Sequence, residues 1–221
     1  MLAASSVLPP PSPTAAAIPP TTIMPRPTVV LDYDNTLLAT SWLQRWSHAE
    51  TPSPFELAGI RDEMHNLDQH VYAFLSHVLE IGRVVVMITN ARLGWVEHSC
   101  AKIMPRVCAL LPRIKVISAR SRYERTFPGQ PEMWKLHAFR EELCGMGHHP
   151  LNVISIGDSW FERDAAHVVG GEHSNATVKS IQLVDCPHPK DICAQLSTLR
   201  LCMLDIAQHD SHLDLKMSRR L

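Results

Sequence analysis

The chain has 221 residues, 45% of them hydrophobic and 19% charged, which suits one domain with a sizeable core and leaves little room for a second. This composition excludes a wholly disordered chain. A formal net charge of −1 gives no general attraction to nucleic acid or membranes, and no apolar run approaches the roughly 20 residues of a membrane-spanning helix.

Residues 1–27 are rich in Pro, Ala, Ser and Thr and have no periodicity, so the sequence predicts a disordered tail. Pro9, Pro10 and Pro11 break the one stretch that could serve as a secretory signal. An organelle transit peptide would share the Ser/Ala richness but carry several arginines, whereas only Arg26 is present. A cytoplasmic location is therefore expected, with organelle targeting by the tail left open.

From Thr28 a single domain, 28–221, is expected. Thr28-Val29-Val30-Leu31 is a β-branched run ending at Asp32, as in a strand buried on both faces. Similar runs follow at 83–88, 114–118 and 152–156, with a weaker fifth at 180–184 that reads as an edge strand. Helical patterns separate them at 55–79, 95–104, 131–143, 161–169 and 189–207. The first carries apolar residues at Leu57, Ile60, Met64, Leu67, Val71, Phe74, Leu75 and Val78, close to the 3.6-residue period of one buried face. Pro131 and Pro189 suit first-turn positions. The alternation predicts an α/β fold with a central parallel sheet and helices on both faces.

Ligands of such sheets bind at the carboxyl ends of the strands. Asp32 and Asp34 follow the first strand, Thr89 and Asn90 the second, and Gly157, Asp158 and Ser159 the fourth. Two carboxylates two residues apart are costly to place side by side without a cation between them. Hard oxygen ligands suit Mg2+, which takes one or two carboxylates together with waters and a substrate phosphate. One carboxylate can then attack phosphorus while the other exchanges a proton with the leaving group. The plainer alternative is a turn after a strand, which Asp and Asn also favour. Gly157 permits a close backbone approach, and Asp158 stands where a third carboxylate could reach the same metal. Thr89 and Asn90 are suited to holding phosphate oxygens, and Lys135 to the negative charge of an aspartyl-phosphate.

These elements, in this order, resemble the haloacid dehalogenase superfamily of aspartate-nucleophile phosphatases. Asp32-Tyr33-Asp34-Asn35-Thr36 matches the D-x-D-x-T signature, Thr89 the second motif, Lys135 the third and Gly157-Asp158 the fourth. The resemblance covers roughly 28–183. It implies a Rossmann-like three-layer α/β/α sandwich, with Asp32 as nucleophile and Asp34 as general acid/base. It further implies catalysis by Asp32, Asp34, Thr89 and Lys135, and substrate binding by Asn35, Thr89, Asn90 and Lys135. Mg2+ would be held by Asp32, Asp34 (through its backbone carbonyl), Asp158 and Glu162. The family usually carries a second acid four residues after the fourth-motif Asp. Glu162 occupies that position, with Asp164 two residues later and Arg163 between them, free to make a structural ion pair instead. Lys115 and Lys102 are less suitable than Lys135 because of their order in the chain.

Neither insertion point for a cap domain has room for one, so little or no cap is expected. Leu38, Trp42 and Trp46 could form one short helix beside the site or simply pack on the sheet. An open cleft suits a phosphorylated substrate as large as a macromolecule, or closure by another subunit in a homodimer. The stretch 113–125 holds Arg113, Lys115, Arg120, Arg122 and Arg125 against only Glu124. It reads either as a solvated basic loop or as an attractor for a polyanion. The six cysteines lack C-x-x-C or zinc spacing and read as buried free thiols in a reducing compartment. The His148-His149 pair reads as part of a turn. The competing functions are a silent binding or scaffolding module of the same fold, and a phosphomutase, for which a shielding cap would be needed.

Overall fold

The computed structural model describes residues 24–47, 52–145 and 151–219. The first 23 residues of the stretch read as a tail, and the His148-His149 pair, lie outside them. Six parallel strands form one sheet: β1 (Thr28–Leu31), β2 (Val84–Thr89), β3 (Lys115–Ser118), β4 (Leu151–Gly157), β5 (Ala176–Gln182) and β6 (Leu213–Lys216). Their order in space is β3-β2-β1-β4-β5-β6. β1 therefore lies at the point where the order reverses, the position at which open α/β sheets form their binding crevice.

Between β1 and β2 run α1 (Thr40–Ser47) and α2 (Pro54–Ile81), and between β2 and β3 run α3 (Trp95–Ile103), α4 (Pro105–Cys108) and a 3-10 turn. The remaining connections carry α5 (Ala119–Tyr123), α6 (Pro131–Cys144), α7 (Trp160–Gly171) and α8 (Pro189–Gln208). Two cores result, one on each face of the sheet. Val29, Leu31, Val85, Met87, Ile154 and Ile156 face α2, α3 and α8. Val30, Val86, Ile88 and Val153 face α6 and α7. Adjacent residues of each strand thus point to opposite cores, which is why these strands read as unbroken apolar runs. The architecture is the expected three-layer α/β/α sandwich.

Local chemistry fixes the helix ends. Ser53 accepts from the Glu56 amide while the Glu56 carboxylate accepts from the Ser53 amide, and Pro54 supplies the pre-set first turn of α2. Leu57 is exposed and the buried face begins at Met64, so the first turns of α2 run beyond the core that its periodicity implied. His188, Pro189 and Asp191 start α8 in the same manner.

Several expectations shift. The fifth strand begins at Ala176 and lies inside the sheet, because β6, unforeseen in the sequence, pairs with it and takes the edge. The basic stretch 113–125 is no single loop but contains β3 and α5. The fold also begins before Thr28. Arg26 donates to the carbonyls of Ile81 (3.2 Å) and Gly82 (2.9 Å), and Asn152 donates to the Pro25 carbonyl (2.8 Å). Of the six free cysteines, Cys100 and Cys193 are buried, but Cys144, Cys186 and Cys202 are exposed. No helix among the described residues is long and apolar enough to cross a membrane.

Gly170 sets the approach of α7 to β5, since a Cβ there would stand 2.2 Å from Cγ2 of the buried Val178, whereas one at Gly171 would meet nothing within 4 Å. Val178 is β-branched and cannot easily turn aside. Gly170→Ala is expected to cost about 1–3 kcal/mol in urea unfolding, while Gly171→Ala is neutral or stabilises by up to about 1 kcal/mol. Equal effects from the two changes would contradict this packing.

Candidate active site

The register places Leu31 beside both Met87 of β2 and Ile156 of β4, so the next residue, Asp32, emerges level with the ends of both neighbours. Its amide still donates to the Ile156 carbonyl at 2.9 Å. The chain then folds back on itself. The amides of Leu37 and Leu38 both donate to the Tyr33 carbonyl, at 2.9 and 3.1 Å, and Asn35 takes a left-handed φ of 57°, which Asn tolerates better than most residues. Tyr33 is fully buried and its hydroxyl lies 2.7 Å from Ser99 Oγ. With that ring anchored, Asp32 and Asp34 on either side of it both line one open cleft of about 610 Å³.

Lys135, in the first turns of α6, is 1% exposed. Its ammonium donates to Asp32 Oδ1 and to the Ile88 carbonyl (2.5 Å), and it pairs with Glu162 Oε1 at 2.8 Å. Burial works against its charged form, but Asp32 and Glu162 outweigh that and hold it protonated. Thr36 Oγ1 donates to the other Asp32 oxygen at 3.3 Å. Burial pushes the Asp32 carboxyl up; contact with Lys135 pulls it down, and the charges of Glu162 and Asp158 push it up again. Lys115 is half exposed and paired with Glu142, and Lys102 is exposed, so neither reaches the cleft.

Glu162 and Asp164 separate cleanly. Glu162 is buried in the cleft with one oxygen on Lys135 and the other accepting from Ser159 Oγ at 2.5 Å. Asp164 is exposed and pairs with Arg163, which also holds Asp214. Gly157 makes room for this arrangement, since a Cβ there would stand 2.6 Å from Glu162 Cγ. Asp158 lines the cleft, and burial followed by the charge of Glu162 pushes its carboxyl up to about 7.

Asp34 accepts three hydrogen bonds: from Thr40 Oγ1 (2.6 Å), Trp95 Nε1 (2.9 Å) and Thr89 Oγ1 (3.2 Å). Thr89 is thus engaged with Asp34 rather than free for a phosphate oxygen. Asn35 lines the cleft, yet its Oδ1 accepts from the Ser41 amide at 2.9 Å and so ties down α1. Asn90 donates to the Pro131 carbonyl at 3.2 Å and leaves its buried Oδ1 without a partner among the described residues. The sequence reading did not single out Trp95 or Thr40 as site residues. Each opens a helix just after a strand-end motif, and that position was the available signal.

Among the described residues no three His, Cys, Asp or Glu side chains form a ready-made metal cluster. The donor chemistry nevertheless fits a hard divalent cation. Asp32, Glu162 and Asp158 repel one another electrostatically and share the single ammonium of Lys135, and all their donor atoms are oxygens. Comparison of the chain with protein-family models, curated proteins and solved structures finds no match.

Removal of Lys135 would leave Asp32 and Glu162 buried without their cation. Lys135→Met is expected to cost about 3–5 kcal/mol at neutral pH. Arg140→Met, which breaks the half-exposed pair with Glu172, should cost less than about 1 kcal/mol. Urea unfolding of the two variants measures the contrast, and a Lys135 variant as stable as the parent would contradict the pairing described.

Proposed function

We propose that the chain is a magnesium-dependent phosphohydrolase that passes the phosphoryl group of a phosphomonoester to Asp32 and then to water. The observation that carries this reading is the pair Asp32 and Asp34, facing one cleft from either side of the buried Tyr33, with Asp32 clamped by Lys135. A structural carboxylate needs a partner but no cleft, and a cleft for neutral ligands needs no second carboxylate.

In the first step an Asp32 oxygen bonds to phosphorus, the bond from phosphorus to the leaving oxygen breaks, and Asp34 gives that oxygen a proton. In the second, water attacks phosphorus and gives its proton to Asp34, and the bond to Asp32 breaks. Lys135 keeps positive charge beside Asp32 throughout. Asp32 and Asp158 would hold Mg2+, with the Asp34 backbone and, through water, Glu162 completing the set; when bound, the ion offsets the phosphate's negative charge. Thr40 and Trp95 orient Asp34, so the proton donor is positioned by the starts of α1 and α3. Among the described residues the eight-residue α1 is the only helix between the first motif and α2, and its Thr40, Ser41 and Gln44 line the cleft. Among the described residues no cap domain covers the cleft, which suits a phosphorylated substrate as large as a macromolecule.

Hydrolysis of an aryl phosphate should require Mg2+, stop with chelator, and fall at least about a thousandfold in Asp32→Asn. A folded wild type that neither turns over phosphomonoesters nor binds Mg2+ in calorimetry would sink this reading and favour a silent binding module. Trp95→Phe provides a finer test. An alkyl phosphate, whose leaving oxygen needs the proton, should slow on the order of 10- to 100-fold, and nitrophenyl phosphate by less than about 3-fold. Equal slowing of both substrates would show that Trp95 acts on general integrity and not on Asp34.

A further inference from the structure

The wall of the cleft beyond the carboxylates is built from the ends of β2 and β3, and it carries Arg92 and Arg120. The other basic residues of 113–125 are spoken for or turned away. Lys115 pairs with Glu142 and Arg122 with Glu141, and neither these nor Arg113 or Arg125 lines the cleft. Arg120 is held in place from two sides. Its Nε and one terminal nitrogen both reach Glu124 Oε1 (3.0 and 2.8 Å), and its guanidinium lies 5.7 Å over the Trp134 ring. One terminal nitrogen is left with no partner among the described residues. Arg92 is exposed, and no salt bridge or side-chain hydrogen bond engages its guanidinium among the described residues.

The two arginines stand on segments that are fastened together. Ser118 Oγ donates to the Ala91 carbonyl at 2.6 Å, and the Leu93 amide donates to Ser121 Oγ at 3.0 Å. Each bond bridges the loop of Arg92 to the β3–α5 turn that bears Arg120. The fastening keeps two guanidinium groups on one wall, with Glu124 paired to Arg120 and its charge also felt by Arg92. The facing residues Thr40, Ser41 and Gln44 are uncharged. Two forked cations on one wall with one adjoining carboxylate, Glu124, between them are suited to a carboxylate or phosphate.

Arg120 is rooted on the β3 side of the cleft, away from Asp32 at the end of β1. β3 lies two strands from β1, roughly 10 Å across the sheet, while phosphorus must lie in contact with Asp32. Lys135 cannot serve an anion there, because it is buried and taken up by Asp32, Glu162 and Ile88. We propose that the substrates are phosphomonoesters whose leaving group carries a second anionic group, bound by Arg92 and Arg120. This rests on the phosphohydrolase reading and names its substrate class.

The test compares propyl phosphate with its ω-carboxylate and ω-phosphate analogues, using the full chain and Mg2+. Wild type should favour one or both anionic analogues by on the order of 10- to 100-fold in kcat/KM, chiefly through KM. The two analogues tell a carboxylate from a second phosphate as the preferred anion. In Arg92→Gln, an exposed change that leaves the core untouched, that ratio should fall toward one. No preference in wild type, or a ratio unmoved in Arg92→Gln and in Arg92→Gln/Arg120→Gln, overturns the assignment. Calorimetry of the same compounds on Asp32→Asn separates the two claims. Arginine-dependent binding of the anionic analogues without turnover by wild type would sink the hydrolase and leave the second-anion site standing. Absence of such binding removes the site as well.

Discussion

One buried ammonium organises the cleft. Lys135 reaches from α6 to Asp32 at the end of β1, to the Ile88 carbonyl in β2 and to Glu162 in the first turn of α7. Four elements that are far apart in the chain converge on three contacts of one side chain. A lysine so deeply buried persists because its desolvation cost is offset by two carboxylates and a carbonyl. The rest of the site follows from that requirement. Glu162 has to lie against the backbone of β4, so position 157 has no space for a Cβ, and Ser159 caps the same helix while holding the second Glu162 oxygen.

Charge balance then shapes the chemistry. Lys135 neutralises less than the carboxylates around it carry, and burial, then the charge of Glu162, raise the Asp158 carboxyl to about 7. The surplus is what a divalent cation would relieve. Asp34 lies outside this cluster, held by hydroxyl and indole donors from the starts of α1 and α3 and the end of β2. The cleft thus divides into a charged floor fixed by the sheet and a separate carboxylate, Asp34, fixed by the helices around it. That division is what the two-step transfer asks for: one carboxylate to bond to phosphorus and another, separately held, to manage the proton.

Much of this was legible in the sequence, for physical reasons that differ from element to element. Strands buried on both faces leave continuous apolar runs, so β1, β2 and β4 stand out, and the polar residues after them mark the cleft. α6 and α8 announce themselves through Pro131 and Pro189 in their first turns. β5 was read four residues late because Thr177 and Lys179 interrupt its apolar pattern. Lys179 is nonetheless wholly buried, with its ammonium donating to Asn152 Oδ1 at 2.5 Å. β6 is four mostly exposed residues, too short and too polar to register as a strand without its partner. α5 was hidden because its basic residues read as solvated loop; Glu124 stands four residues from Arg120, but only the fold brings Glu141 to Arg122. Trp95 was missed as a site residue because its indole reaches Asp34 across 61 positions of sequence.

The central claim is that Asp32 carries the phosphoryl group between the two steps. The most direct measurement is to quench the turning-over enzyme in acid, reduce with borohydride, and map the modified residue by peptide mass spectrometry. An acyl phosphate on a carboxylate is reduced to an alcohol under these conditions, so the account predicts homoserine at position 32, present with substrate and absent without it. Steady turnover with no modification at position 32, or with the phosphoryl group found on another residue, would contradict it.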